Sequence, residues 1–384
     1  MTQHTADFSS HFSQFVGGAQ CFPFWKARVA LYAILRGLGV GPGEEVLVPG
    51  YTCVMNVNPV KYLGARPIYI DINPSTYNID LAQLEDAITP QTRAIMAQHT
   101  YGIPCDMDAV LEIGRRHRIP IIEDCCLALG SKYKGRLCGT MGVAAYWSFQ
   151  WNKTMTTGIG GMAATCDREL SDKIRHLCEG LQSPPRRAAA LLNIQRQAYR
   201  CLIYPKTTAF ATSLFHWLTA KGVVIGSSAS QEFVPVQGPD FFMEMSSGQA
   251  EAGIQGLGDL EQNFEHRRKI VKVYESTLQE AARALPKISV GSEPVYTRYP
   301  VRVRNKEAVL KESSAQRLEI GSWFESPLHP SKTPLSSYDY TLGQCPEAEK
   351  AAREVVNLPT HQRVSVDEAK RSVRFIKGHL VDGM

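Results

Sequence analysis

The feature that most constrains this chain is an alternation of helix-period and strand-period segments over its first two thirds. Ala27 to Gly37 (ARVALYAILRG) gathers helix formers and ends in the Gly/Pro-rich run Leu38 to Gly43, after which EVLVPGYTC (45–53) reads as a short buried strand entering a loop. The pattern then repeats: helix 56–63, strand 67–72, helix 81–88, strand 93–102, helix 107–116 and strand 119–125. After a break at Lys134-Gly135, the apolar runs 143–149 and 161–165 add two further strands. Each helix–strand unit is short enough to be one crossover, which predicts an α/β fold around a mostly parallel sheet of six or seven strands.

Beyond Arg168 the chain turns helical to about Leu218, interrupted by SPPRR (183–187), and a Gly/Ser/Pro-rich passage (222–240) reads as a linker. A long helical pattern over 248–280, a strand over 295–303 and helices over 307–316 and 366–380 predict a smaller α+β unit. The expected division is a large α/β domain, residues 1–240, and a small C-terminal domain, residues 241–384. A chain of 384 residues has ample material for two such cores.

Charge and cysteine content narrow the function classes. The formal net charge of +5 is spread thinly and forms no basic stripe, so neither nucleic acid nor an anionic membrane is an expected partner. The ten cysteines include no CxxC pair and no zinc-ligand spacing, so no metal is expected and they read as buried thiols of a reduced, cytoplasmic protein. The N-terminal residues do not read as a secretory signal, and no segment approaches the roughly 20 apolar residues that cross a bilayer.

In an open parallel sheet, functional groups gather at the carboxyl ends of strands. Asp124 follows the apolar run Ile119 to Ile122; by local sequence it is equally a helix cap or surface carboxylate. Lys153 follows a strand and precedes hydroxyl and glycine residues (TMTTGIGG); it is either an exposed loop lysine or, if desolvated, an amine with a lowered pKa that forms a Schiff base with an aldehyde. Lys26-Ala27-Arg28-Val29 opens the first helix, where backbone N–H groups and a guanidinium make an anion site, unless Arg28 is simply solvated. A phosphate cradle, an acid and a lysine together suit pyridoxal 5′-phosphate (PLP), whose aldehyde needs the lysine and whose pyridine nitrogen needs the carboxylate.

At these residues the sequence resembles the DegT/StrS aminotransferases, sugar aminotransferases of the fold-type I PLP class. The resemblance is collinear from about Pro23 to Val364, through LGVGPGEEVLVPGYTC, GARPIYIDINPSTYNID, AITPQTRAIMAQHTYGIPCDMDAV, IIEDCCLALGSKYKGRLCGTMG, YWSFQWNKTMTTGIGGMAAT, RYPVRV, PLHP and VNLPTHQRV. It implies a three-layer fold with a seven-stranded, mostly parallel sheet. It further implies that Lys153 forms the internal aldimine, that Asp124 keeps the pyridine nitrogen protonated, and that Ser148, with Ala27, Arg28 and Val29, lies at the phosphate. Tyr51 and His329 are its implied substrate contacts.

Three departures accompany the match. Leu127 stands where the family commonly has Gln or His at the cofactor's phenolic oxygen; Cys53 stands where many members place an aromatic ring, a role Tyr51 is offered for. Asp240-Phe-Phe-Met-Glu-Met245 replaces an Asn and an Arg that reach the neighbouring subunit's cofactor, and Arg28 is the substitute this chain offers. The implied activity is transfer of an amino group from glutamate or glutamine to a keto-sugar, nucleotide-linked, or to a keto-cyclitol. A homodimer with interface active sites is implied, with Met243 to Ile254 crossing to the partner. A non-transaminating PLP reaction, motivated by Leu127, is the second reading, and a non-catalytic scaffold the third.

Overall fold

The computed structural model describes residues 2–202, 224–226 and 230–381. The expected helical stretch beyond Leu202 and parts of the 222–240 passage lie outside them. Seven strands form one sheet in the order Gln20–Phe24, Gly161–Thr165, Ala144–Ser148, Ile121–Asp124, Thr92–Gln98, Glu45–Pro49, Arg66–Ile70. All pairings among the last five are parallel, and only Gly161–Thr165 runs against the rest.

Both faces of this sheet are covered, so its strands are apolar at consecutive positions rather than at alternate ones. Val46, Val48, Ala94, Met96, Ile122 and Tyr146 pack beneath the helix Ala27–Gly37 on one face. Their neighbours Leu47, Ile95, Ala97 and Ile121 pack on the other, against Leu84 of Leu81–Asp86 and Val110 of Met107–His117. At the opposite edge, Trp147 and Met162 are covered by Phe8 and Phe12 of Gln3–Phe15. The three-layer, mostly parallel architecture follows from that two-sided burial.

The helix Gln3–Phe15 and the strand Gln20–Phe24 are additions to the sequence-based expectation. Pro23 obscures the strand, and the fold accommodates it near an edge, where a missing N–H matters least. The long pattern over 248–280 divides at Asp259 into Ser247–Gly258 and Leu260–Thr277. Met245 and Ala250 join the core of the large sheet, whereas from Ile270 onward the side chains join a second core around the antiparallel strands Arg298–Arg302 and Val355–Pro359. Tyr51, Val54 and Tyr101 belong to that second core too, which joins it to the carboxyl edge of the sheet. No helix among the described residues is long and apolar enough to cross a membrane.

Candidate active site

Four parallel strands end side by side at Pro49, Gln98, Asp124 and Ser148, and the site is built on those ends. Asp124 is buried, with its carboxylate held from two sides: Oδ1 accepts the Cys126 N–H at 2.9 Å, and Oδ2 accepts Asn56 Nδ2 at 2.6 Å. Asn56 lies in the first turn of Val54–Tyr62 and also reaches Thr52 Oγ1 at 3.0 Å. Thr52 donates to Gln98 Oε1 at 2.5 Å, and Gln98 donates to the Tyr51 carbonyl at 2.9 Å. Two charge-assisted bonds and a chain of buried amides thus set the orientation of one carboxylate.

Lys153 sits in the loop between Ala144–Ser148 and Gly161–Thr165. The loop is closed on itself by Phe149 N–H to the Gly160 carbonyl (3.0 Å) and Thr157 N–H to the Phe149 carbonyl (2.9 Å). It is pinned from outside by Asn263 Nδ2 to the Thr154 carbonyl at 2.8 Å and by Thr154 Oγ1 to Thr297 Oγ1 at 3.0 Å. The half-buried amine lies 4.5 Å over the Trp323 ring. Desolvation lowers its pKa below the usual lysine value; Arg298 lowers it further, while Cys126, Asp124 and Cys53 oppose the shift. A larger fraction of neutral amine is what attack on an aldehyde requires.

The helix Ala27–Gly37 begins with Lys26 as N-cap, which supplies no side-chain oxygen to the first-turn N–H groups. The helix Val54–Tyr62, capped by Cys53, is likewise without a side-chain cap. By contrast Asp80, Asp106, Asp167 and Ser246 cap their helices. Gly161 lets the first of these open termini approach the sheet, since a Cβ there would stand 2.2 Å from the Ala27 Cα. The place receives an anion: the Glu232 carboxylate lies 2.5 Å from Arg28 Nη1 and 2.9 Å from Lys26 Nζ. Depressed amine, oriented carboxylate and anion-receptive helix start are a donor set that fits PLP.

Several expected site residues occupy other roles. Val29 is sealed in the sheet core and its N–H is taken by the Lys26 carbonyl at 3.1 Å, which leaves Ala27 and Arg28 at the helix start. Arg28 faces Glu232 rather than open solvent. Tyr51, offered as a substrate or stacking contact, has no exposed surface; its hydroxyl bonds Tyr101 at 2.8 Å and its ring packs on Phe324. Leu127 is buried among apolar side chains, and its carbonyl accepts Thr297 Oγ1 at 2.8 Å. In the segment 240–245 the Met243 carbonyl accepts the Trp25 N–H at 3.2 Å and Phe241 packs on Tyr32. The helix Ser247–Gly258 packs on Phe8, because Gly253 admits that ring.

Other expected residues converge. Cys53 and His329 are joined by the two-residue parallel bridge Leu328↔Thr52, His329↔Cys53, so the C-terminal unit supplies one wall of the site. Ser148 is buried at its strand end, opposite Gly161. Burial lowers the His329 pKa to about 4, which keeps that ring neutral at pH 7. Asn56, Cys126, Arg298, Trp323 and Glu232 were not anticipated. The polar Asn56 within the otherwise apolar VMNV was a legible signal; the others come close only through the fold.

A mostly parallel sheet with lysine, carboxylate and open helix terminus at its carboxyl edge fits the class of PLP-dependent enzymes, and comparison with known proteins shows the family. The family model for the DegT/DnrJ/EryC1/StrS aminotransferases matches residues 1–192 and 205–377, and the chain belongs to that family. It is 30% identical to GDP-perosamine synthase of Caulobacter vibrioides over 98% of this chain and 90% of that protein. It is 41% identical to L-glutamine:scyllo-inosose aminotransferase of Streptomyces griseus over 44% of this chain and 40% of that one. Among solved structures, the PLP form of Spr1654 from Streptococcus pneumoniae superposes with a TM-score of 0.77 over 98% of this chain and 91% of that chain, at 22% identity.

Proposed function

We propose that the protein transfers an amino group from glutamate or glutamine to a keto-sugar, nucleotide-linked, or to a keto-cyclitol, using PLP held covalently on Lys153. The observation that carries this reading is the desolvated Lys153 amine beside the oriented Asp124 carboxylate at the carboxyl edge of the sheet. The names of the relatives, a GDP-perosamine synthase and a glutamine:scyllo-inosose aminotransferase, support the acceptor class and the donor.

PLP, when bound, supplies an electron sink that lets an amino group leave one carbon and be installed on another. Lys153 holds the cofactor and moves a proton at the substrate carbon through its Nζ. Asp124, with Oδ1 and Oδ2 pinned by Cys126 and Asn56, keeps the ring nitrogen protonated. Ala27 and Arg28 at the open helix terminus, with Ser148, hold the phosphate, and Glu232 yields that place to it. His329, neutral at pH 7, faces the substrate from the C-terminal unit. The overall exchange converts the donor to its 2-oxo acid and the keto carbon to an amine.

We place the chain in two domains, with the boundary moved from the expected 240/241 into the helix Leu260–Thr277, since Phe241, Met245, Ala250 and Phe264 join the large-sheet cores and Ile270 the second one; the working unit is a homodimer, and the exposed Val234 and Val236, just after Glu232, support a covering partner. Nine unpaired thiols among the described residues support a reducing, cytoplasmic setting. The test is the visible spectrum of the protein with PLP, before and after glutamate or glutamine. Conversion of the lysine-linked band to that of the cofactor's amine form is expected. A band that persists with every amino-acid donor would favour non-transaminating chemistry instead.

A further inference from the structure

The anion-receptive start of the helix Ala27–Gly37 is filled by a group of the chain itself. The Arg28 side chain is only 2% exposed, and a guanidinium at that depth is costly without a counter-charge. Glu232 supplies one, 2.5 Å from Arg28 Nη1 and 2.9 Å from Lys26 Nζ. The backbone that carries Glu232 is held separately: its carbonyl accepts Asn58 Nδ2 at 2.8 Å, and Asn58 Oδ1 accepts the Tyr338 hydroxyl at 2.6 Å. The Glu232 side chain keeps 19% of its surface in solvent, so the carboxylate can leave the cradle while its backbone stays anchored.

One carboxylate does not saturate the place. Lys26, Arg28 and the positive end of the helix together exceed its charge, and burial, helped by Arg28, lowers the Lys26 pKa. Asp240, the other acid that Lys26 senses, is exposed. A phosphate monoester carries about 1.5 to 2 negative charges at pH 7 and offers three acceptor oxygens, where a carboxylate has one charge and two oxygens. Exchanging Glu232 for a phosphate therefore gains charge and an acceptor. Exchange for a monoanion gains neither.

We propose that Glu232 is a resident competitor of the cofactor phosphate, which neutralises Arg28 in the empty site and sets a charge threshold that admits a dianionic phosphate ester and excludes monoanions. This rests on the PLP reading of the site, and the test separates the two. The full chain, freed of cofactor, is titrated with inorganic phosphate and with formate, followed by calorimetry and melting. It is then titrated with PLP and with unphosphorylated pyridoxal, followed by the visible band.

Glu232→Gln is expected to tighten inorganic phosphate and PLP about tenfold and to leave pyridoxal, which brings no anion to the cradle, unchanged. The empty variant melts below wild type because Arg28 has lost its counter-ion, and formate, a free carboxylate, binds and stabilises the variant but not the wild type. Glu232→Asp, which keeps the charge on a shorter stem, falls between and carries the test if the glutamine variant does not fold. Phosphate affinity that is unchanged or weaker in both variants would overturn the competition. A gain shared equally by pyridoxal would overturn it too, since that gain does not act through the phosphate. Glu232-dependent phosphate binding in a protein that gives no lysine-linked band with PLP would leave the competitor standing and overturn the PLP reading.

Discussion

Glu123 and Asp124 are adjacent acids of one strand, and alternation sends them to opposite faces of the sheet. Glu123 is fully buried and saturated: it accepts backbone N–H groups from Gly139 (2.7 Å), Met141 (2.6 Å) and Gly142 (2.6 Å), and pairs with His99 at 3.1 Å. Burial alone would raise its pKa, but His99 and the backbone donors outweigh that and hold it below the usual carboxylate range. With Cys125 beside it this group has the spacing of a metal site, yet His99 Nδ1 is already occupied by the Cys105 N–H at 3.0 Å. Asp124 is instead held at one edge by two donors and lies within electrostatic reach of the Lys153 amine. A buried acid whose lone pairs are used by backbone N–H groups and a buried histidine builds a fold; one held by its rim, with a cation nearby, is arranged for a ligand.

The sharpest break in that comparison is at Lys153. Lys153→Ala is expected to abolish the visible band given by PLP, and an unchanged band would refute its role. Asp124→Ala should slow turnover by roughly 10³-fold while the protein stays folded, as steady-state rates and a melting curve would show together. Glu123→Ala should do the reverse. Stranding three backbone N–H groups and His99 costs about 3–5 kcal/mol of stability, visible in the denaturant midpoint, and any protein that remains folded should turn over nearly normally.

Asn56→Leu removes one donor from Asp124 without touching its charge, so about tenfold weaker turnover is expected, accompanied by weaker PLP binding in a titration. The smallest effect concerns His329. Its folded pKa of about 4 lies below the 6.5 of a free histidine, so the unfolded chain binds the extra proton first. Stability from this group is full above pH 6.5 and falls as pH drops toward 4, by about 1–3 kcal/mol. His329→Gln should flatten that part of the pH–stability profile, and an identical slope in wild type and variant would remove His329 as its source.

Much of the site was legible because parallel sheets place function at strand ends. Asp124 and Lys153 could be picked out as polar residues following apolar runs, and Arg28 as a cation at a helix start where dipoles disfavour it, whereas Ser148 was marked only by the family resemblance. Tyr51 shows the limit of that method. The family resemblance offered it as a ligand contact in place of the ring missing at Cys53, but its neighbours Tyr101, Tyr77 and Phe324 come from distant segments and bury it completely. Nor did the segment 240–245 announce that it would pair with Phe24 and Gln182 in its own chain.

By itself the sequence determined the α/β architecture, through apolar runs bounded by turn residues, and it singled out one acid at a strand end and one lysine in the loop that follows another. Only the tertiary structure decided what surrounds them. Asn56 meets Asp124 across 68 positions and Glu232 meets Arg28 across 204, while Trp323 is brought over Lys153 from a separate unit. Those contacts depend on how helices and loops pack at long range. Local periodicity carries no information about such packing, because hydrophobic burial is non-directional and the polar partners are selected by whatever lies opposite once the core has closed.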